Sequence, residues 1–94
     1  MSAAKRVDGN HAEIVRALRQ VGCSILDLSP IGHGCPDLLA GRAGRLYLLE
    51  VKNPQGRNRV NEQQQAWHAG WPGLVAVVRS VDEALRAVGV EVSA

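Results

Sequence analysis

Apolar positions along the chain follow two rhythms, one of helices and one of strands. Between Asn10 and Gly22, Ile14, Leu18 and Val21 recur at i, i+4 and i+7, with Val15 widening the stripe. This predicts a helix that Gly22 stops. Asn10, with Glu13 three residues on, has the spacing of an N-cap and its capping-box partner. Cys23 to Leu28 reads as a first strand, and Ser29 to Pro36 as a loop, from its Gly and Pro content. Asp37 to Ala40 is a short second strand, Gly41 to Arg45 a hairpin turn, and Leu46 to Lys52 the most strongly marked strand of the chain. A polar, basic loop from Asn53 to Arg59 follows. A second helix then opens at Asn61 and ends near Trp71-Pro72-Gly73. Leu74 to Val78 reads as a buried strand. Ser80 caps a third helix with Glu83 as box partner, Val81, Leu85 and Val88 as its stripe, and Gly89 as its stop.

The predicted order is α-β-β-β-α-β-α. A helix between the third and fourth strands is a crossover and favours parallel pairing of those two. Short connections among the first three strands make them an antiparallel meander. The expected fold is α/β, a mixed four-stranded sheet flanked by helices in one domain over residues 1–94, with residues 1–9 as a flexible, basic lead-in.

Composition changes this picture little. The 94 residues are 46% hydrophobic and 21% charged, as in an ordinary globular domain. With Trp67, Trp71 and Tyr47 the only aromatics, Leu, Val, Ile and Ala must fill the core. The formal charge is +2, but nine of the eleven basic residues are Arg, which suits bidentate contacts to phosphate. No apolar run approaches a membrane span and the start lacks a signal-peptide pattern, so the expectation is an intracellular, cytoplasmic protein with no membrane partner. Cys23 and Cys35 are too few for a disulfide framework and lack metal-ligand spacing, so both are expected as free thiols.

The candidate chemistry lies in the central hairpin. Side chains alternate faces along a strand, so Leu48, Glu50 and Lys52 share one face while Tyr47, Leu49 and Val51 share the other. Charges at the end of a buried strand must be paired or must bind a metal. A hairpin between strands two and three can bring Asp37 beside Glu50. Two adjacent carboxylates repel, and a divalent cation relieves that repulsion. Lys52 then sits where a cation can stabilise an oxyanion or orient a water. Hard cations such as Mg²⁺ prefer such oxygen ligands and polarise phosphoryl groups. With Lys52 and the acids Glu13, Asp37 and Glu50 set aside, 10 basic groups face 6 acidic ones, a balance that leans toward a polyanionic partner.

Pro36-Asp37, then Glu50-Val51-Lys52 after twelve intervening residues, resembles the PD-(D/E)xK nuclease pattern. The wider string Gly34-Cys35-Pro36-Asp37-Leu38-Leu39, then Leu48-Leu49-Glu50-Val51-Lys52-Asn53, then a Gln-containing helix, resembles the virus-type replication-repair nuclease (VRR-NUC) family over roughly residues 10–89. That family is close to archaeal-type Holliday junction resolvases, and its short stand-alone members are typical of phages and prophages. The resemblance implies a restriction-endonuclease-like core. It also implies Mg²⁺- or Mn²⁺-dependent endonucleolytic cleavage of DNA, often branched, by a homodimer with no small-molecule cofactor. It makes Asp37 and Glu50 the metal-binding carboxylates, the Val51 backbone carbonyl a further ligand, Lys52 the catalytic lysine, and Glu13 a glutamate that reaches the metal through water. The family glutamine falls within Gln63-Gln64-Gln65; Gln64 is preferred, because it shares a helix face with Trp67, and Gln65 is the alternative. Asn61-Glu62 stands where relatives often have Thr-Pro or Ser-Pro, a departure that touches the cap and not the chemistry.

Plainer readings compete with each assignment. Asp37 can cap a turn after Pro36, and Glu50 with Lys52 can be an ordinary ion pair. Glu13 and Gln64 each stand at capping-box spacing from an Asn. Arg57 and Arg59 after the catalytic strand, Arg42 and Arg45 in the hairpin turn, and His33 in the preceding loop are candidate DNA contacts, each with a solvated surface as its alternative. His11 and His68 are expected on helix surfaces, and Trp67 and Trp71 in the core or a dimer interface. Three other functions compete with a resolvase: the same chemistry directed at flaps, single strands or nicked duplex, a DNA-binding accessory protein of this fold that does not cleave, and an unrelated small α/β binding module that binds no metal.

Overall fold

A computed structural model describes residues 9–56 and 59–93. Three α-helices, α1 (His11–Gln20), α2 (Glu62–Ala69) and α3 (Val81–Ala87), and four strands, β1 (Ser24–Asp27), β2 (Leu38–Arg42), β3 (Arg45–Val51) and β4 (Val75–Val78), follow one another in the expected order. The one addition is a short 3₁₀ turn at Ser29–Ile31, entered through Pro30. The basic lead-in expected over residues 1–9 falls, but for Gly9, outside the described residues.

The sheet is mixed and open, in the order β1-β2-β3-β4. β1 and β2, and β2 and β3, pair antiparallel, whereas β3 and β4 pair parallel across α2. The β2–β3 turn is tighter than the sequence suggests. Gly41 belongs to the ladder, opposite Leu46, and Arg42 pairs with Arg45. Only Ala43 (φ 52°) and Gly44 (φ 79°) remain to reverse the chain. Two consecutive positive φ angles match the right-handed twist of the flanking strands, which makes a two-residue connection possible.

Strand alternation gives the sheet two unlike faces. Leu38, Ala40, Leu49, Val51 and Val78 point to one face and are buried there against Ile14 and Leu18 of α1, Ala84 of α3 and Val88 at its end. The other face carries Leu26, Leu39, Leu48 and Val75 in one row across all four strands. α2 lies over the end of this second face and has no fully buried residue. Its Trp67 is half-buried and stacks on Trp71, with ring centroids 4.9 Å apart. Trp67 is thus outside the helix–sheet core, so of the two expected places, core or dimer interface, the core is corrected to a half-exposed stack on Trp71.

Two side chains tie the layers together. Asn10 makes no capping bond at the start of α1. The expected capping box with Glu13 is absent: Asn10 has φ −93° and ψ 0° rather than the extended backbone of a capping residue, its Oδ1 has no partner among the described residues, and its Nδ2 donates to the Lys52 and Arg79 carbonyls, both at 3.1 Å. One amide thereby joins the start of α1 to the residues that follow β3 and β4. At the opposite end, Arg42 donates through Nε to Val21 O at 3.1 Å and through Nη1 to Val88 O at 3.2 Å. Val21 and Val88 are the C-caps of α1 and α3, so one guanidinium satisfies carbonyls at two helix C-termini, where a cation is favoured. Among the described residues no helix is long and apolar enough to cross a membrane.

Candidate active site

Leu38 pairs with Leu49, so one further step along the same register sets Asp37 opposite Glu50. Opposed residues of an antiparallel pair project to the same side. Here that side is the second face, beneath α2. Asp37 is oriented from behind: its Oδ2 accepts from the Val51 backbone N–H at 2.8 Å, and its own carbonyl accepts from Leu28 N at 2.7 Å. Asp37 therefore makes a cross-strand bond to the β3 backbone as well as standing opposite Glu50.

Glu50 is only 1% exposed. Its Oε2 accepts from Gln64 Nε2 at 2.9 Å. The same Gln64 amide closes the capping box of α2: its Oε1 accepts from Asn61 N at 3.0 Å, while Gln64 N donates to Asn61 Oδ1 at 2.8 Å. The capping role and the site role of Gln64 are thus both made, by opposite ends of one amide. Gln65 turns away and donates to Val60 O at 2.9 Å. Lys52 is 5% exposed, and its backbone N–H still donates to Val78 O at 2.9 Å. Strand alternation thus continues to Lys52 and sets it on the Glu50 side.

The loop before Asp37 packs directly against α2. Gly34 is buried with φ at +84°, and a methyl group there would stand 2.8 Å from the Gln63 carbonyl carbon and 3.2 Å from Gln64 N. Only glycine allows this approach. Cys35, next in the loop, has its thiol pushed above the ordinary range, first by desolvation, then by the negative charges of Glu50 and Asp37. The two carboxylates therefore act together on one small region, which Cys35 borders.

Sequence reasoning missed His68. Its imidazole turns inward, 21% exposed, with Nε2 at 3.7 Å from Glu50 Oε1. The available clue was spacing, since His68 lies four residues beyond Gln64 on the same helix face. His11, also expected on a surface, is half-buried with a buried Nε2.

The other candidates lie farther out. Glu13 is exposed on α1 and lines a recess with Asn53, Pro54 and Gln55, which follow Lys52. Among the described residues, no three His, Cys, Asp or Glu side chains are grouped closely enough to hold a metal ion by themselves. The donors that do converge, Asp37 and Glu50, are hard oxygen ligands. They suit a cation such as Mg²⁺, which binds through one or two carboxylates and fills its remaining positions with water and phosphate oxygen. His33 is exposed in the loop at φ 56°, and Arg59 is exposed before α2. Arg45 is exposed at the far end of the hairpin, where Arg42 is occupied with helix carbonyls. Arg57 lies outside the described residues.

The fold and site define an α/β protein with a mixed four-stranded open sheet, three helices, and an acidic pair with a lysine at one end of the central hairpin. Comparison with protein-family models, curated proteins and solved structures finds no match to this chain.

Proposed function

We propose that this chain is a Mg²⁺- or Mn²⁺-dependent DNA endonuclease with a restriction-endonuclease-like PD-(D/E)xK core of the VRR-NUC kind, acting on branched DNA as a homodimer. The observation that carries the chemistry is the strand register: Asp37 falls opposite Glu50, and Lys52 follows on the same face. Asp37, Glu50 and the Val51 carbonyl would hold the cation. When bound, it supplies Lewis-acid polarisation of the phosphoryl group and lowers the pKa of a water. The protein does the rest. Gln64 fixes the Glu50 carboxylate, and the Val51 amide fixes Asp37. The Lys52 ammonium offsets charge that develops on the phosphoryl oxygens. Branch preference and two-fold assembly rest on the sequence resemblance.

The deciding experiment is a cleavage assay with Mg²⁺ or Mn²⁺ on a four-way junction, a flap, a splayed arm, linear duplex and single-stranded DNA. Asp37→Ala and Lys52→Ala serve as controls. Paired cuts in the junction, lost in both variants, support a resolvase. Cleavage confined to the other forms keeps the nuclease and discards the resolvase. DNA binding without cleavage would identify a non-cleaving accessory protein.

A further inference from the structure

We infer that His68 is a positioning residue for Glu50, completing with Gln64 a two-point hold on the carboxylate from one face of α2. The inference rests on the reading of Glu50 as a metal ligand. Gln64 takes Oε2 at 2.9 Å, and His68 Nε2 faces Oε1 at 3.7 Å. Residues four apart on a helix project side by side, so the two donors arrive as a pair. Partners at both oxygens fix the plane of a carboxylate as well as its position.

His68 Nε2 is buried and has no hydrogen-bond partner among the described residues. A buried ring nitrogen left in that state costs roughly 1–3 kcal/mol, so the arrangement needs a reason. Among the described residues the acidic group paired with it is Glu50, and 3.7 Å is a few tenths of an ångström beyond a direct bond. α2 brings both residues to the sheet although it has no fully buried side chain to dock it. Among the described residues, the Gly34 approach to Gln63 and Gln64 and the contacts to Glu50 hold it there. Hydrogen-bonding partners of this sort orient metal-binding side chains, and their loss costs about 10–100-fold in metal affinity.

The test is Mn²⁺ binding by calorimetry on the full chain, comparing wild type, His68→Ala and His68→Gln, with the apo melting temperature recorded for each. A glutamine places its amide nitrogen close to the position of the imidazole Nε2. His68→Ala is expected to weaken Mn²⁺ binding about 10-fold or more, with its apo melting temperature near that of wild type. His68→Gln is expected to recover most of the lost affinity, which a merely structural role for the ring would not do. Wild-type affinity in His68→Ala overturns the inference. So does a folded His68→Gln that binds as weakly as His68→Ala. If His68→Ala does not fold, the comparison of wild type with His68→Gln decides, and a loss of about 10-fold or more in the latter counts against the hold. If the wild type itself takes up no Mn²⁺, the metal-site reading fails first, a result distinct from failure of the hold alone.

Discussion

Replacing Gly34 by alanine tests how the loop, α2 and the site depend on one another. Two costs add. An L-residue at positive φ loses about 1–2 kcal/mol, and Gly34 sits at +84°. The new methyl would lie 2.8 Å from the Gln63 carbonyl carbon, backbone that has no rotamer to change. Overpacking of this kind costs about 1–3 kcal/mol. Gly22 supplies the control, because its φ is +94° at the end of α1 and a methyl there meets nothing within 4 Å. Gly22→Ala should therefore show the strain alone, about 1–2 kcal/mol, and Gly34→Ala both costs unless α2 moves. α2 is the element able to yield, since it has no fully buried residue. When it yields, Gln64 and His68 withdraw from Glu50. The expected pattern is a urea midpoint lowered by about 1–3 M in Gly34→Ala against roughly 1 M or less in Gly22→Ala. Movement of α2 would reduce that gap and show instead as weaker Mn²⁺ binding in Gly34→Ala only. Equal midpoints and equal Mn²⁺ affinities in the two variants would falsify the close packing of Gly34 on α2.

Three other perturbations follow from the same contacts. Arg42→Ala removes two charge-assisted bonds to helix C-termini and should cost about 2–3 kcal/mol in chemical denaturation, whereas Arg45→Ala, at an exposed position, should stay within about 0.5 kcal/mol; equal losses would show that Arg42 is not the tie. Asn10→Ala should cost about 2 kcal/mol through its two bonds to Lys52 O and Arg79 O, and Asn10→Asp should cost more, because a carboxylate presents no donor to either carbonyl; an Asn10→Asp protein as stable as wild type would contradict this. The thiols of Cys23 and Cys35 are both raised, so the stability they contribute is present below the ordinary thiol pKa and lost as pH rises through the folded-state values. At Cys35, removing one negative neighbour lowers the pKa and leaves more thiolate at pH 8. Asp37→Asn should accordingly speed alkylation of Cys35, measured by mass spectrometry after timed exposure to iodoacetamide, and an unchanged rate would mean that Asp37 does not act on the thiol.

Much of the fold was legible because each element carried a local pattern. Ile14 and Leu18 marked the α1 face that is in fact buried, and alternation along β3 separated Leu49 and Val51 from Glu50. Departures arose where a residue answers to a distant partner. Asn10 had capping spacing, but its amide serves two carbonyls more than forty positions away in sequence. Gly41 looked like a turn residue because of its type, yet it sits within the ladder opposite Leu46. At the site, Asp37 and Glu50 were readable because a hairpin converts sequence spacing into spatial opposition. Gln64 and His68 depend on how α2 returns over the sheet, and the polar sequence of α2 gave only a weak indication of which face turns inward. His68 was therefore assigned to the surface, although it lies above the carboxylate.

The Ala43–Gly44 turn is separated from Asp37 by the five residues of β2 and lies roughly 20 Å away at the usual rise per residue. Nothing there touches the carboxylates, yet the length of that turn decides which residues oppose one another along both strands. Side chains alternate with a period of two, so a slip of one residue would send Asp37 to the helix-packed face and leave Glu50 alone beneath α2. An insertion or deletion at the tip of the hairpin therefore acts as a lesion of the remote acidic pair. The spacing between Asp37 and Glu50 is as much a part of the site as the two side chains.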